Sequence, residues 1–481
     1  MHGPRSVAHT LPRAYAGLSA AVTLQRQPSF ASTSHERAMS SSDKAQLPVH
    51  GEYCISAADV VAAAARVARY VHRTPLMTSS FMNSAASEGC APDAPPRSAY
   101  FKCECFQKSG SFKARGACNA VLSLSPEEAA RGVCTHSSGN HAQALAVAAA
   151  MRGIDAHIVM PANAPAVKVS AVRGYGGKVI TCESTQAARE AAAAKVVADT
   201  GARFVHPSED PLVIAGQGTM ALEILSQAAE LRHLPAPVVH VGASSPAPPS
   251  DGAVPVQPAP VDAIIVPVGG GGMISGIATL VRAVDRRIRI IAAEPAAADD
   301  AARSKAAGSI QAHAKAPDTV ADGLRTTLGT LRSRAAMMLL AGGRAKGVRS
   351  TLCGIRRRRM CSVPTEHRHD ARAASRLLHT SVLTRSHVPL CLAGTNTWPI
   401  VRDVVDEVIT VSEEDIIRAM RLVYERMKLV IEPSAAVSVA VLLSPQFKAL
   451  PGIEHVAVVL CGGNVDLDAL PFVTPASMAG M

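Results

Sequence analysis

The run Ala263-Ile264-Ile265-Val266-Pro267-Val268-Gly269-Gly270-Gly271-Gly272-Met273 sets six apolar residues directly before four glycines, and a helical pattern opens at Ile274. A bounded apolar run of this length reads as a buried strand. Glycine carries no Cβ, so four in succession let backbone amides converge on an anion, assisted by the dipole of the following helix. Elsewhere a glycine run would read as a linker; between a strand and a helix it reads as a phosphate cup. The dinucleotide spacing G-x-G-x-x-G is not met here.

Outward from this turn, further short apolar runs at 156–160, 178–181, 288–293 and 456–460 alternate with Ala-rich helical stretches at 142–152 and 185–199. Residues 58–71 also read as a helix. Alternation of this kind predicts βαβ units and an α/β fold. The 481 residues are 48% apolar, 18% charged and 3% aromatic, chain enough for two to four domains and a large core. No apolar run approaches the roughly 18 residues of a spanning helix, so no membrane partner is expected. Eleven cysteines, an odd number without C-x-x-C pairs, read as reduced thiols in a reducing compartment.

The net charge of +11 has a local source. Residues 330–394 hold thirteen Arg or Lys and two acids, with Arg356-Arg357-Arg358-Arg359 at their centre, and the remaining 416 residues balance at 36 basic against 36 acidic. The basic stretch contains no aromatic residue, so the interleaved pattern of a nucleic-acid surface is missing and no nucleic-acid partner is expected. Residues 235–260 contain eight prolines and read as an extended linker or loop. Residues 1–42 carry four arginines, eight serines and one acid, which suits either a transit peptide or a disordered tail, and Met39 could serve as an internal start.

Three more clusters bear chemistry. Ser109-Gly110-Ser111-Phe112-Lys113-Ala114-Arg115-Gly116 is not a P-loop; taken alone, Lys113 reads as a surface lysine, yet a lysine amine can also bond to a carbonyl cofactor. Thr135-His136-Ser137-Ser138-Gly139-Asn140-His141 ends a strand-like run and opens a helix, where small polar residues either cap or present amides to an anion. Cys461-Gly462-Gly463-Asn464 follows another strand-like run, where a lone cysteine usually packs.

In this order the clusters resemble the fold-type II pyridoxal-phosphate enzymes, in the serine racemase and serine/threonine dehydratase group, over residues 51–228, 261–329 and 395–470. The resemblance implies a tryptophan synthase β-like architecture: a large domain (51–131 and 210–475) and a smaller mobile domain (132–209), each an open α/β sheet, after a tail at 1–50. It implies that Lys113 carries pyridoxal 5'-phosphate, Phe112 packs on the pyridine ring and Asn140 bonds its 3-hydroxyl. Gly269, Gly270, Gly271, Gly272 and Met273 would bind the phosphate. Cys461 would face the pyridine nitrogen, and a neutral partner there leaves that nitrogen largely unprotonated.

Within the group, serine racemases place a serine at the position of Ser138, where threonine dehydratases read S-A-G-N-H. Racemisation needs a second acid/base on the far face of the planar carbon, and Ser138 would supply it. The racemase is therefore expected, interconverting L- and D-serine with elimination of serine to pyruvate and ammonia. The alternatives are an L-serine/L-threonine dehydratase, with Ser138 a helix cap, and an inactive amino-acid or nucleotide-binding homologue. Glu294, the Ala298 carbonyl and Asp300 resemble a site for Mg²⁺ or Ca²⁺, whose hard oxygen ligands suit those cations; a solvated acidic turn is the other reading. The segments 395–400, 427–428 and 432–434 look racemase-like. Family members bind ATP as an activator at a homodimer interface, where Ser79, Ser80, Phe81, Lys108, Ser109, Gln143, Tyr175, Lys428 and Asn464 sit at matching positions. Removing 330–394 restores the family pattern in frame, which reads as a translated retained intron; a genuine basic arm is the other reading. A cytoplasmic location is expected, or mitochondrion or plastid if residues 1–42 are a transit peptide.

Overall fold

The computed structural model describes residues 53–240, 258–329 and 396–472, together with the short strand Ser19–Ala21. A first sheet begins with β1 (Leu76–Thr78) and β2 (Ser98–Cys103), paired antiparallel with Met77 opposite Phe101. A 3-10 turn at Glu104–Phe106 leads on to α1 (Lys113–Leu122). The chain then builds a second sheet from β3 (Val133–His136), β4 (Ala156–Pro161), β5 (Lys178–Cys182) and β6 (Arg203–Phe204), with α2 (Asn140–Arg152) after β3. All its pairings are parallel, in the order β5-β4-β3-β6.

The long helix α3 (Pro211–Leu231) returns to the first sheet. There β7 (Ala263–Pro267), α4 (Gly272–Val284), β8 (Arg289–Pro295), β9 (Glu407–Val411) and β10 (His455–Leu460) complete the order β9-β8-β7-β10-β2-β1. Every pairing but β1 with β2 is parallel.

The central strands show why. Every residue of β7 is buried, as are five of the six in β10, a pattern that suits strands covered by helices on both faces. Helices pack closely where glycine allows. A Cβ on Gly276 of α4 would lie 2.2 Å from the Ile214 carbonyl of α3, and one on Gly216 of α3 would lie 2.6 Å from Gly116 Cα of α1. Asp210 starts α3 by accepting the Leu212 N–H at 2.9 Å, with Pro211 in the first turn.

The helix expected at 58–71 spans Ala57–Val67 and is opened by a capping box at Ser56 and Asp59. The Pro-rich 235–260 stretch is not wholly a linker: Val238–His240 is a strand, paired in parallel with Ser19–Ala21 from the expected tail. Residues 241–257, the rest of 1–50 and the basic stretch 330–394 lie outside the described residues.

Candidate active site

In open α/β sheets ligands settle at the carboxyl ends of strands. Here a cavity of about 750 Å³ lies at that edge of both sheets, lined by residues following β3, β7 and β10 and by the start of α1.

Lys113 is the first residue of α1, and the turn that presents it is pinned to the turn after β10. The Phe112 N–H donates to the Cys461 carbonyl at 3.0 Å, and the Gly463 N–H donates to the Gly110 carbonyl at 2.9 Å. Lys113 Nζ donates to the Pro207 carbonyl at 2.9 Å and stands 5.0 Å from the centre of the Phe112 ring. Desolvation lowers its amine to about 8, against the attraction of the Glu432 carboxylate. A lysine tuned this way is a better nucleophile and base near neutral pH than an exposed one.

The four glycines form the opposite wall. Gly271 sits at φ +80, a backbone that favours glycine, and N-caps α4. A Cβ on Gly270 would fall 2.5 Å from Ser208 Oγ, and one on Gly272 would fall 2.7 Å from the Ser208 carbonyl. Ser208 Oγ is buried beside this cradle without a hydrogen-bond partner among the described residues. Met273 is 6% exposed and lines the same cavity.

From the second sheet come Ser137, Ser138, Gly139 and Asn140 at the end of β3. The Ser137 N–H donates to the Val159 carbonyl of β4 at 3.2 Å, which holds the turn, and half-buried Ser138 lines the cavity. Asn140 Nδ2 donates to both oxygens of Glu432, and Asn464 Nδ2 donates to Asn140 Oδ1 at 2.9 Å. Cys461 Sγ is 3.8 Å from Glu432 Oε1. Burial, then the Glu432 charge, pushes the thiol well above its ordinary range, so it stays neutral. Lys168 of the second sheet's unit pairs with Asp322 across the cavity mouth.

Lys113, Phe112, Ser138, Asn140, the four glycines, Met273 and Cys461 thus line one cavity. Glu432 and Ser208 are additions that the fold makes to the site. Glu432 stands at the N-cap of the helix Pro433–Leu443 without capping it, its carboxylate turned to Asn140 instead. Nothing in the sequence marks Ser208.

The other two sets fall outside this cavity, except that Asn464 of the nucleotide set lines it. Glu294 and Asp300 are buried; Glu294 accepts the Ala301 and Ala302 N–H groups at 2.8 and 2.9 Å. Asp300 meets His313 Nε2 at 2.7 Å and accepts the Leu328 N–H at 2.6 Å, and Ala298 lies in the short 3-10 turn between the two acids. Of the nucleotide set, Ser109 and Asn464 are joined directly, Asn464 Nδ2 donating to the Ser109 carbonyl at 2.7 Å. Ser79 caps the helix Ser80–Ser87, and exposed Phe81 of that helix lies under the Arg426 guanidinium, two residues before Lys428. Gln143 is buried on α2, Tyr175 is 39% exposed, and Lys108 opens the 3-10 turn that includes Ser109.

A family model described as pyridoxal-phosphate dependent enzyme matches residues 50–246, 254–353 and 363–462. The chain belongs to this family. Among its curated relatives, the serine racemase of Arabidopsis thaliana is 40% identical over 408 residues, covering 84% of this chain and 92% of its own. The serine racemase of Homo sapiens is 38% identical over 420 residues, covering 86% and 93%. Among solved structures, maize serine racemase matches with a TM-score of 0.64 at 36% identity, over 86% of this chain and 95% of its own. The serine racemase of Dictyostelium discoideum matches with a TM-score of 0.62 at 34% identity, over 86% and 100%.

The residues fit the family's cofactor. A glycine cradle in which a Cβ on Gly270, Gly271 or Gly272 would crowd its neighbours, a buried hydroxyl beside it, a lysine of lowered basicity and a neutral thiol suit a phosphate, a carbonyl carbon and an uncharged ring nitrogen in turn.

Proposed function

We propose that the chain interconverts L- and D-serine and, on the same site, eliminates the serine hydroxyl to give pyruvate and ammonia. One observation carries the reading: Lys113, opening α1 beside the first sheet, and Ser138, following β3 of the second, line a single cavity. The resemblance to serine racemases over more than four-fifths of the chain supports it.

Bound pyridoxal phosphate supplies an electron sink for the pair left when the α-proton departs. Lys113 would hold the cofactor through Nζ, and the same atom would take the α-proton of L-serine. Ser138 Oγ returns a proton on the other face, which gives D-serine. Where Ser138 does not act, loss of the β-hydroxyl ends the cycle as pyruvate, so one base suffices for elimination and two are needed for racemisation. Gly269 to Gly272 and Met273 would hold the phosphate through backbone N–H groups, with Ser208 Oγ beside them. Phe112 would pack on the ring, Asn140 would hold the 3-hydroxyl and Cys461 would face the ring nitrogen. The unit built on β3 to β6, residues 132–209, closes over the substrate as a mobile small domain.

As the resemblance implies, Glu294, the Ala298 carbonyl and Asp300 would supply the hard oxygen ligands for Mg²⁺ or Ca²⁺, the carboxylates then exchanging some of the N–H partners they now hold. ATP would bind the set around Ser79, Lys108 and Asn464 at a homodimer interface, as the resemblance implies. The eight described cysteines are free, in keeping with a cytoplasmic enzyme, or one in mitochondrion or plastid. No helix among the described residues is long and apolar enough to cross a membrane.

The test is chiral chromatography after incubating purified protein with L-serine, Mg²⁺ and ATP, with pyruvate followed in parallel. D-serine alongside pyruvate is expected. Pyruvate alone would make the enzyme a dehydratase and Ser138 a cap.

A further inference from the structure

Arg115 stands two residues beyond Lys113 in the first turn of α1 and is fully buried. Its guanidinium grips two carboxylates at once. Nε and Nη2 donate to Glu104 at 2.8 and 2.7 Å, while Nη1 and Nη2 donate to Glu223 at 2.8 and 2.9 Å. Lys102 completes the set, with Nζ donating to Glu223 at 2.6 Å and to the Thr74 carbonyl at 2.7 Å. All four charged side chains are 0% exposed and their charges cancel. Buried ion clusters seldom stabilise a fold more than apolar packing would, and their best-attested use is to specify one geometry.

The connectivity says which geometry. The second sheet joins the first through the segment leaving α1 and the segment entering α3. Glu104 follows β2 of the first sheet, Arg115 lies on α1 and Glu223 on α3, so one guanidinium ties both connections to the first sheet. The two helices also touch directly. A Cβ on Gly216 would sit 2.6 Å from Gly116 Cα, and the Gly116 N–H donates to Gln217 Oε1 at 3.1 Å. The approach to α3 carries Pro207, whose carbonyl accepts the Lys113 Nζ bond.

We infer that Arg115 is a positioning residue that fixes the pivot between the two sheets, so that Lys113 on one and Ser138 on the other address the same carbon. The inference rests on the two-residue racemisation proposed above. Elimination needs Lys113 alone, whereas racemisation needs both residues in register. Loosening the pivot therefore costs racemisation more than elimination, and a misplacement of about 1 Å is worth on the order of a hundredfold in a positioned step.

The full-length enzyme loaded with pyridoxal phosphate and its Arg115→Lys, Glu104→Gln and Glu223→Gln variants test this. Lysine keeps the charge but loses the fork, and each glutamine removes one charged arm without changing shape. D-serine and pyruvate are measured in the same reaction, with the visible absorbance of the lysine-bound cofactor and thermal unfolding alongside. The expected result is a D-serine to pyruvate ratio lowered by about tenfold or more, with the absorbance retained. A ratio equal to that of the unmodified enzyme, whether or not total activity or melting temperature falls, would overturn the inference and leave Arg115 a packing residue. Should Arg115→Lys not fold, the two isosteric glutamine variants decide the question. Ser138→Ala in the same series separates the two claims. If it makes D-serine normally, the two-residue racemisation fails; if it loses D-serine while the pivot variants keep the ratio, only the pivot fails.

Discussion

Asn140 and Glu432 lie 292 positions apart and share two hydrogen bonds, at 2.9 and 3.0 Å, between the second sheet and the first. Asn140 opens the helix that follows β3, and Glu432 precedes a helix packed on the first sheet. The pair closes one side of the cavity and leaves a buried carboxyl beside Cys461.

That burial sets a pH dependence. Desolvation raises Glu432 from 4.5 to about 7, although the Asn140 bonds oppose the rise. Between these values the folded state holds a proton that the unfolded chain has released. The proton's stabilisation is fully present below pH 4.5 and is lost as pH rises through 7, amounting to about 3 kcal/mol by linkage. In the cofactor-free protein, the stability of wild type relative to Glu432→Gln should fall across that window in denaturant titrations. Parallel curves from pH 4.5 to 8 would refute the assignment.

The glycine cradle predicts a graded loss of cofactor. Gly270→Ala puts a Cβ 2.5 Å from the buried Ser208 Oγ, while at Gly269 the nearest atom is 3.2 Å away. Overpacking of roughly 1–3 kcal/mol corresponds to about tenfold to a hundredfold weaker binding at Gly270 and less at Gly269. Equilibrium titration with pyridoxal phosphate, followed by absorbance, reads both variants, and equal affinities would contradict the cradle.

The basic stretch should be dispensable. Leu328 and Thr397 flank it, and both are fully buried. A Cβ on Gly271 would lie 2.7 Å from Leu328 Cδ1 and 2.9 Å from Thr397 Cβ, so the chain leaves and re-enters the fold at one place. Thr397 is held there by its Oγ1 bond to Glu209 at 2.6 Å. Deleting 330–394 should leave a folded protein that binds the cofactor, with a melting temperature no lower than before, because a shorter connection has less closure entropy to lose. A deletion variant that is insoluble or melts well below the full chain would show that the stretch contributes to the fold.

Much of this arrangement is legible in the sequence because it is local. The buried strands announce themselves as apolar runs, and the glycine run sits where a strand meets a helix. Motifs at 109–116, 135–141 and 461–464 each fall at a strand or helix end, where the fold brings them together. Relations between distant positions are not legible. Glu432 is an ordinary acid until the fold sets it against Asn140 and Cys461. Arg115 sits inside a recognised motif, but its role comes from Glu104 and Glu223, the latter 108 positions away. Ser208 has no pattern around it and matters only because the Gly270 backbone approaches it.

The central claim is that two residues, one from each sheet, work on opposite faces of one carbon. Solvent exchange of the α-hydrogen in D₂O tests it most directly, with L-serine and D-serine as separate substrates for wild type and Ser138→Ala. The account predicts that the variant still exchanges the α-hydrogen of L-serine and still forms pyruvate from it, yet makes no D-serine and leaves the α-hydrogen of D-serine in place. D-serine formed by Ser138→Ala at the wild-type rate would contradict it.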